Sequence, residues 1–416
     1  MRVIESVPLE TAKHWLLILT IVLTAGMVVG RVAQLLRLPD VVLFLLAGIA
    51  VGPSALGWIN VPSQSTVNQL ILIFGASYIL FDGGASLNIR VLRGVAPTIA
   101  LLATLGVFVT AVVTGAAAHL LLGLPWVTAF LLAAVIAPTD PATLIPIFKQ
   151  IKIRDRVAQT VISESALNDA TGAILALTIL GVATGRHFSP SGSIEQFVIM
   201  AMGGLVAGLV LGYLAAFLLG HERYNFLLEF APLVTLAVVA AAYLAAEGLH
   251  SSGFMAVFAF GVTLGNANLL GFKMDQGFRQ RLYEYVEVTA LASRMAVFIL
   301  LGSQVNLALL GQYLGVGLGL IAIFMLIARP LAVLGSTLLD RPARWSWQEI
   351  VFFCWTRETG VIPTALAGLL LGFNIAHARL IASLTFLAVT VTILVQAPTT
   401  KSLVERLGLL ESEAIR

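Results

Sequence analysis

Two prolines and an aspartate interrupt one apolar stretch of the chain, at Ala137-Pro138-Thr139-Asp140-Pro141. The prolines remove two backbone donors and push the residues before them, Ala137 and Asp140, out of the helical region, which predicts two half-helices joined by extended chain. In lipid such a break is tolerated only where protein or a watery cavity covers it, and it offers unpaired carbonyls and a half-helix N-terminus to ions. Asp140 begins the second half, where the helix dipole favours negative charge. The plainer alternative is a proline kink with Asp140 as its N-cap. The next apolar stretch holds Ser163-Glu164-Ser165-Ala166-Leu167-Asn168-Asp169. At helical spacing Ser165 and Asp169 share one face and Glu164 and Asn168 the adjoining face. No histidine or cysteine stands beside them, so these oxygens suit a hard cation rather than a transition metal. A polar seam between helices is the competing reading, but a seam gains nothing from two acids.

A second interruption reads Trp355-Thr356-Arg357-Glu358-Thr359-Gly360-Val361-Ile362-Pro363. Gly360 and Pro363 weaken the helix there, and the opposite charges of Arg357 and Glu358 sit beside the break. Arg329 and Arg294 are further cations inside apolar runs. Arg329 needs a counter-charge, and Glu164 is the leading candidate. A paired Glu164 stays ionised and stops titrating, whereas Asp169, buried without a fixed cation, takes up a proton when no cation is bound. One carboxylate trading one proton for one monovalent cation moves no net charge, and Asn168 beside it supplies no second proton. Asp82, Glu229, Glu247 and Glu287 fall nearer to helix ends and are expected to reach the interface.

The elements that position these groups follow from composition. Of 416 residues 59% are hydrophobic and only 11% are charged, with mean hydropathy +0.98. Charge at less than half the usual roughly 25% cannot cover a water-soluble globule of this size, so the chain reads as an all-α polytopic membrane protein. Its single cysteine, Cys354, excludes an intrachain disulfide and a thiolate cluster. The net charge of +3 reflects basic cytoplasmic loops rather than a nucleic-acid partner. Residues 1–14 are too polar for a signal-peptide core, and no soluble domain is expected.

Thirteen candidate membrane helices lie near 15–36, 41–57, 66–82, 95–122, 126–149, 156–183, 194–219, 226–247, 252–267, 284–305, 309–339, 346–371 and 377–398. Alternating sides along this order puts 17 of the lysines and arginines on one side and four on the other, which predicts an outer N-terminus and a cytoplasmic C-terminus. The interrupted helices are the fifth and the twelfth. Two halves of six helices around a seventh would make them equivalent, the pattern of an inverted-repeat secondary transporter with two discontinuous crossing helices. GxxxG spacings such as Gly48 with Gly52, Gly204 with Gly208 and Gly261 with Gly265 permit close helix contact.

These pieces together resemble the cation/proton antiporters, specifically the electroneutral NhaP-like sodium/proton exchangers related to the animal plasma-membrane exchangers. The resemblance rests on Leu38-Pro39 through Gly52-Pro53, Leu80-Phe81-Asp82-Gly83-Gly84, Thr139-Asp140-Pro141, Glu164-Ser165 with Asn168-Asp169, Ser252-Gly253 through Gly265-Asn266, and Ala328-Arg329-Pro330. Thr-Asp-Pro followed one helix later by Glu-Ser-x-x-Asn-Asp is highly specific. The resemblance implies that Asp169 is the main cation and proton carboxylate, with Ser165 and Glu164 helping to coordinate Na+. Thr139 would contribute through its main chain and Asp140 directly or through water. Asn168 would bridge to the unwound segment and Arg329 would pair with Glu164. Asn-Asp in place of Asp-Asp implies electroneutral exchange, serving pH homeostasis. No cofactor is implied, Na+ or Li+ and H+ being the transported substrates.

It also implies an elevator-type motion in a homodimer set in lipid of a plasma or inner membrane. Residues 1–94 and 223–306 would form the interface helices, 95–187 and 307–398 the core, 188–222 a linker helix and 399–416 a short cytoplasmic tail. The twelfth helix departs from the family pattern: Arg357-Glu358-Thr359-Gly360 stands where many relatives have Leu-Arg-Gly, so Glu358 is expected to neutralise Arg357 locally. Arg294 is an extra cation that could compete with Arg329 for Glu164. A K+/H+ antiporter of the same fold is the nearest alternative. An intramembrane aspartyl protease using Asp140 and Asp169 is disfavoured, because its Gly-x-Gly-Asp signature is absent.

Overall fold

Apolar runs of this length must satisfy their own backbone in lipid, and helices do so within one segment. The computed structural model describes residues 7–36, 38–62, 65–185, 190–221, 224, 226–272, 276–372 and 375–411. Arg2, Arg37, Arg186, Arg223, Lys273 and Arg416, which enter the charge sorting, lie outside the described residues. The described residues are helical and contain no strand, only an isolated antiparallel bridge between Ile153 and Leu410.

The order begins with α1 (Val7–Leu36), α2 (Asp40–Val51) and α3 (Thr66–Ala85). α4 (Ile89–Leu101) and α5 (Val107–Leu122) form one long helix through a π-helical turn at Leu102–Gly106. It starts earlier than the apolar run suggests because Asn88 caps it, accepting from the Arg90 amide at 2.9 Å. The fifth apolar run is split as its prolines require, into α6 (Trp126–Ile136) and α7 (Pro141–Ile151). After them come α8 (Asp155–Ala183), α9 (Pro190–Gly220), α10 (Ala231–Gly248), α11 (Gly253–Gly265) and α12 (Gln276–Ser303). α13 (Leu307–Ile323) and α14 (Arg329–Leu339) again join through a π-helical turn, Phe324–Ala328. The twelfth run is split into α15 (Trp347–Trp355) and α16 (Val361–Gly372), and α17 (Ala378–Leu407) continues through Pro398 past the expected end. Among the described residues nine helical stretches are long and apolar enough to cross a membrane, and four shorter apolar helices accompany them: α2, α6, α11 and most of α16.

Two packed groups emerge. α1, α2, α3, α9, α10, α11 and α12 contact one another, and α4 to α8 pack with α13 to α17. The first group relies on backbone contact between small residues. A Cβ at Gly84 of α3 would meet the Phe258 carbonyl at 2.6 Å, and Cβ atoms at Gly261 and Gly265 would strike the backbone of Phe81 and Ala85. In the second group the end of α17 is stitched to the turn before α8. The Arg154 amide donates to Leu409 O at 3.0 Å and the Glu411 amide to Lys152 O at 2.9 Å.

Three of the four acids expected at the interface, Glu229, Glu247 and Glu287, are exposed. Asp82 is not: it is buried within α3. Hydropathy windows place a residue along the helix axis but do not say which face meets a neighbour, and α3 is packed on most of its circumference.

Candidate functional site

The two interruptions meet. In the first, residues 137–140, the Asp140 amide donates to the carbonyl of Glu358 in the second at 2.8 Å. The Asp140 side chain then accepts from the amide of Val361, the first residue of α16, at 3.0 Å. Arg357 of the second break reciprocates by donating to Ala137 O, where α6 ends. An acid from one break therefore sits at the positive end of a half-helix, and a base from the other sits at a negative end. The Arg357 guanidinium also lies over the Phe324 ring, 4.8 Å from its centre. Gly360 is what lets Asp140 come so close, since a Cβ there would fall on the carboxylate. Helix α17 satisfies two further groups of the second break: Thr392 Oγ1 accepts from the Thr359 amide at 3.2 Å, and Gln396, one turn on, donates to Trp355 O. Several of the backbone groups freed by proline and glycine are thus paired within the protein, as lipid demands.

Helix α8 holds the first break from its other side. Asn168 accepts from the Thr139 amide at 3.1 Å and donates to Thr139 Oγ1 at 2.6 Å, so both ends of its amide are committed. Ser165, one turn earlier, exchanges a hydrogen bond with Thr139 Oγ1 at 2.7 Å. Gly172 allows the approach, because a Cβ there would collide with the Pro138 ring. Sequence reasoning missed Gly172; the available signal was a glycine one turn beyond Asp169 in a helix facing a proline-broken segment. On the adjoining face Arg329 grips Glu164 with both guanidinium nitrogens, Nη1 to Oε1 at 2.5 Å and Nη2 to Oε2 at 2.9 Å, while its Nε donates to Phe353 O at 2.8 Å. Both side chains are 1% exposed.

Glu164 is paired with Arg329 as expected, with both its oxygens on the guanidinium. Two other expectations change. Arg294 does not compete for Glu164; its Nε lies 3.5 Å from Asp40 Oδ2. Glu358 does not neutralise Arg357 through a hydrogen bond: Arg357 is turned to Ala137 O, and among the described residues no side chain donates to the fully buried Glu358 oxygens.

Asp169 is 3% exposed, and its Oδ1 accepts no hydrogen bond among the described residues. It stands on the wall of a cavity of about 640 Å³ that runs between the two packed groups, lined by α8 and α16 on one side and by α3, α9, α10 and α11 on the other. A buried carboxylate with a free oxygen on a cavity wall, one helical turn from the Ser165 hydroxyl, can hold a small hard cation or a proton.

The family model described as "Sodium/hydrogen exchanger, transmembrane" matches residues 18–406. The chain belongs to the sodium/hydrogen exchanger family. Its relatives include the Na(+)/H(+) antiporter 1 of Methanocaldococcus jannaschii, 30% identical over 360 residues that cover 84% of this chain and 81% of that protein. The K(+)/H(+) antiporter NhaP of Alkalimonas amylolytica is 32% identical over 391 residues, 91% of this chain and 66% of that one. The fold is similar to that of the sodium proton antiporter MjNhaP1 of Methanocaldococcus jannaschii at pH 8, with TM-score 0.74 and 28% identity, covering 94% of this chain and 97% of that one. The exchanger is accordingly an integral membrane cation/proton transporter and not an enzyme, which removes the protease alternative.

Proposed function

We propose that the exchanger moves Na+ or Li+ against H+ one for one, with both substrates competing for Asp169. The observation that carries this reading is the buried Asp169 carboxylate, with Oδ1 unpartnered, on the cavity wall beside the crossed breaks. Ser165 and Thr139 supply further oxygens from α8 and the unwound segment. Asp140 acts chiefly by capping α16, Asn168 by holding the break, and the Arg329–Glu164 pair by anchoring α8 against α14 and α15. With Glu164 committed to Arg329 and Asn168 unable to ionise, Asp169 alone exchanges its partner, so a cycle carries no net charge.

Thirteen crossings in two inverted six-helix halves fit the paired irregularities: a π-helical turn and then a broken helix occur in that order in each half. The core would comprise 95–187 and 307–398, the dimerising interface 1–94 and 223–306, with 188–222 as linker and 399–416 as cytoplasmic tail. The cavity between the two packed groups supports an elevator-type movement of one against the other. An outer N-terminus and cytoplasmic C-terminus follow from the distribution of positive charge.

A second reading, K+/H+ exchange by the same site, is favoured by the similarity to a K(+)/H(+) antiporter. Oxygen ligands of this kind do not by themselves separate Na+ from K+. Proteoliposomes loaded with a pH-sensitive dye and challenged in turn with Na+, Li+ and K+, with and without an imposed membrane potential, test both. Proton movement driven by Na+ and Li+ at a rate independent of potential is expected. A rate that follows the potential refutes the one-for-one stoichiometry, and a response to K+ alone selects the second reading.

A further inference from the structure

The cavity lined by the buried Asp169 is lined also by a second carboxylate, the exposed Glu247, and by no lysine or arginine among the described residues. Glu247 belongs to the last turn of α10, and its Oε1 accepts from the Gly253 amide at 3.2 Å. That bond fixes the carboxylate at the corner where α10 turns into α11. One turn deeper along α10, Tyr243 lines the same wall. Its ring meets Phe254 edge-on at 5.2 Å and lies so near the corner that a Cβ at Gly253 would come within 2.5 Å of it. The acid is therefore held in place beside Tyr243, on the walls of the cavity that Asp169 also lines. The remaining polar groups on these walls, such as Gln69 and Ser252, are neutral.

We propose that Glu247 is the receiving carboxylate of the outer mouth: it concentrates monovalent cations at the rim and passes them to the Asp169 cavity. This rests on the proposed exchange reaction and on the orientation with the C-terminal end of α10 outside. A fixed charge at the rim of a cavity with low-dielectric walls focuses its field into the opening and raises the local counter-ion concentration. Glu247 acts on one face of the membrane only and takes no part in proton exchange, so it is a positioning residue for substrate capture.

The test uses full-length protein reconstituted in one orientation, with Na+ presented at either face. Glu247→Gln keeps an oxygen for the Gly253 amide and removes the charge; Glu247→Asp keeps the charge. At low ionic strength Glu247→Gln is expected to raise the KM for outer Na+ roughly two- to ten-fold, the size of one partly screened charge near the ion path. The maximal rate and the KM for inner Na+ should not change, and Glu247→Asp should stay near wild type. Added choline chloride should erase the difference, because the screening length falls from about 30 Å at 0.01 M to about 3 Å at 1 M. An unchanged outer KM, an equal rise on both faces, a rise confined to the inner face, or a difference that survives high salt would overturn the proposal. Failure of the wild-type protein to couple any alkali cation to protons would instead overturn the exchange reaction itself. Equal melting temperatures of wild type and Glu247→Gln are expected; a lower one accompanied by a salt-independent loss of rate would show Glu247 to be only a helix cap.

Discussion

Replacing Arg329 by alanine removes the partner of a carboxylate that has nowhere else to turn. Glu164 is 1% exposed and both of its oxygens are bonded to the guanidinium, at 2.5 and 2.9 Å. Breaking such a buried pair from one side costs about 3–5 kcal/mol, because the remaining charge is left uncompensated. The lost bond from Arg329 Nε to Phe353 O adds about 1 kcal/mol. Arg329→Ala should therefore lower the folded-to-unfolded ratio by roughly a thousand-fold or more, a tenfold change corresponding to about 1.4 kcal/mol. The double variant Arg329→Met with Glu164→Gln removes both charges and should recover most of that loss. Melting in detergent and exchange in proteoliposomes are measured on the same samples, for Arg329→Ala, Arg329→Met, Glu164→Gln and the double. Fully folded Arg329→Ala whose cation KM alone is altered would refute the anchoring role, as would strictly additive destabilisation in the double.

Asp169→Asn should abolish exchange while leaving the melting temperature near wild type; residual wild-type turnover in the dye assay would contradict its role. Gly360→Ala places a methyl on the Asp140 carboxylate, so it should destabilise the protein by about 1–3 kcal/mol and stop transport, both read from melting and dequenching. Asn168→Asp loses the donor to Thr139 Oγ1 and should slow exchange without making its rate respond to membrane potential, a response that electrophysiology on supported membranes would detect. Raising the proton concentration should increase the KM for Na+ without changing the maximal rate, because the two ligands share one carboxylate; a purely noncompetitive pattern in initial rates would argue for separate sites.

Both interruptions and the polar face of α8 were legible in the sequence, because proline, glycine and charge within apolar runs are local signals with large energetic consequences. The order of the long helices was equally legible, since runs of that length announce themselves. What the sequence withheld is who meets whom. Arg357 reaches Ala137 O and Asp140 reaches Val361 N across more than two hundred residues of chain, and no local pattern distinguishes those contacts from the local Arg357–Glu358 pairing that adjacency suggests. Arg294 finds Asp40 for the same reason. The π-helical turns at Leu102–Gly106 and Phe324–Ala328 carry no compositional mark in either stretch, and Glu247 looks like any acid at a helix end until the cavity joins it to Asp169.

The most direct test counts protons released when the purified exchanger binds Na+ in weakly buffered detergent solution. With the acid form loaded beforehand, one proton should leave for each Na+ bound, and Asp169→Asn should release none. Release of two protons per ion, or undiminished release from Asp169→Asn, would contradict an exchange seated on that one carboxylate.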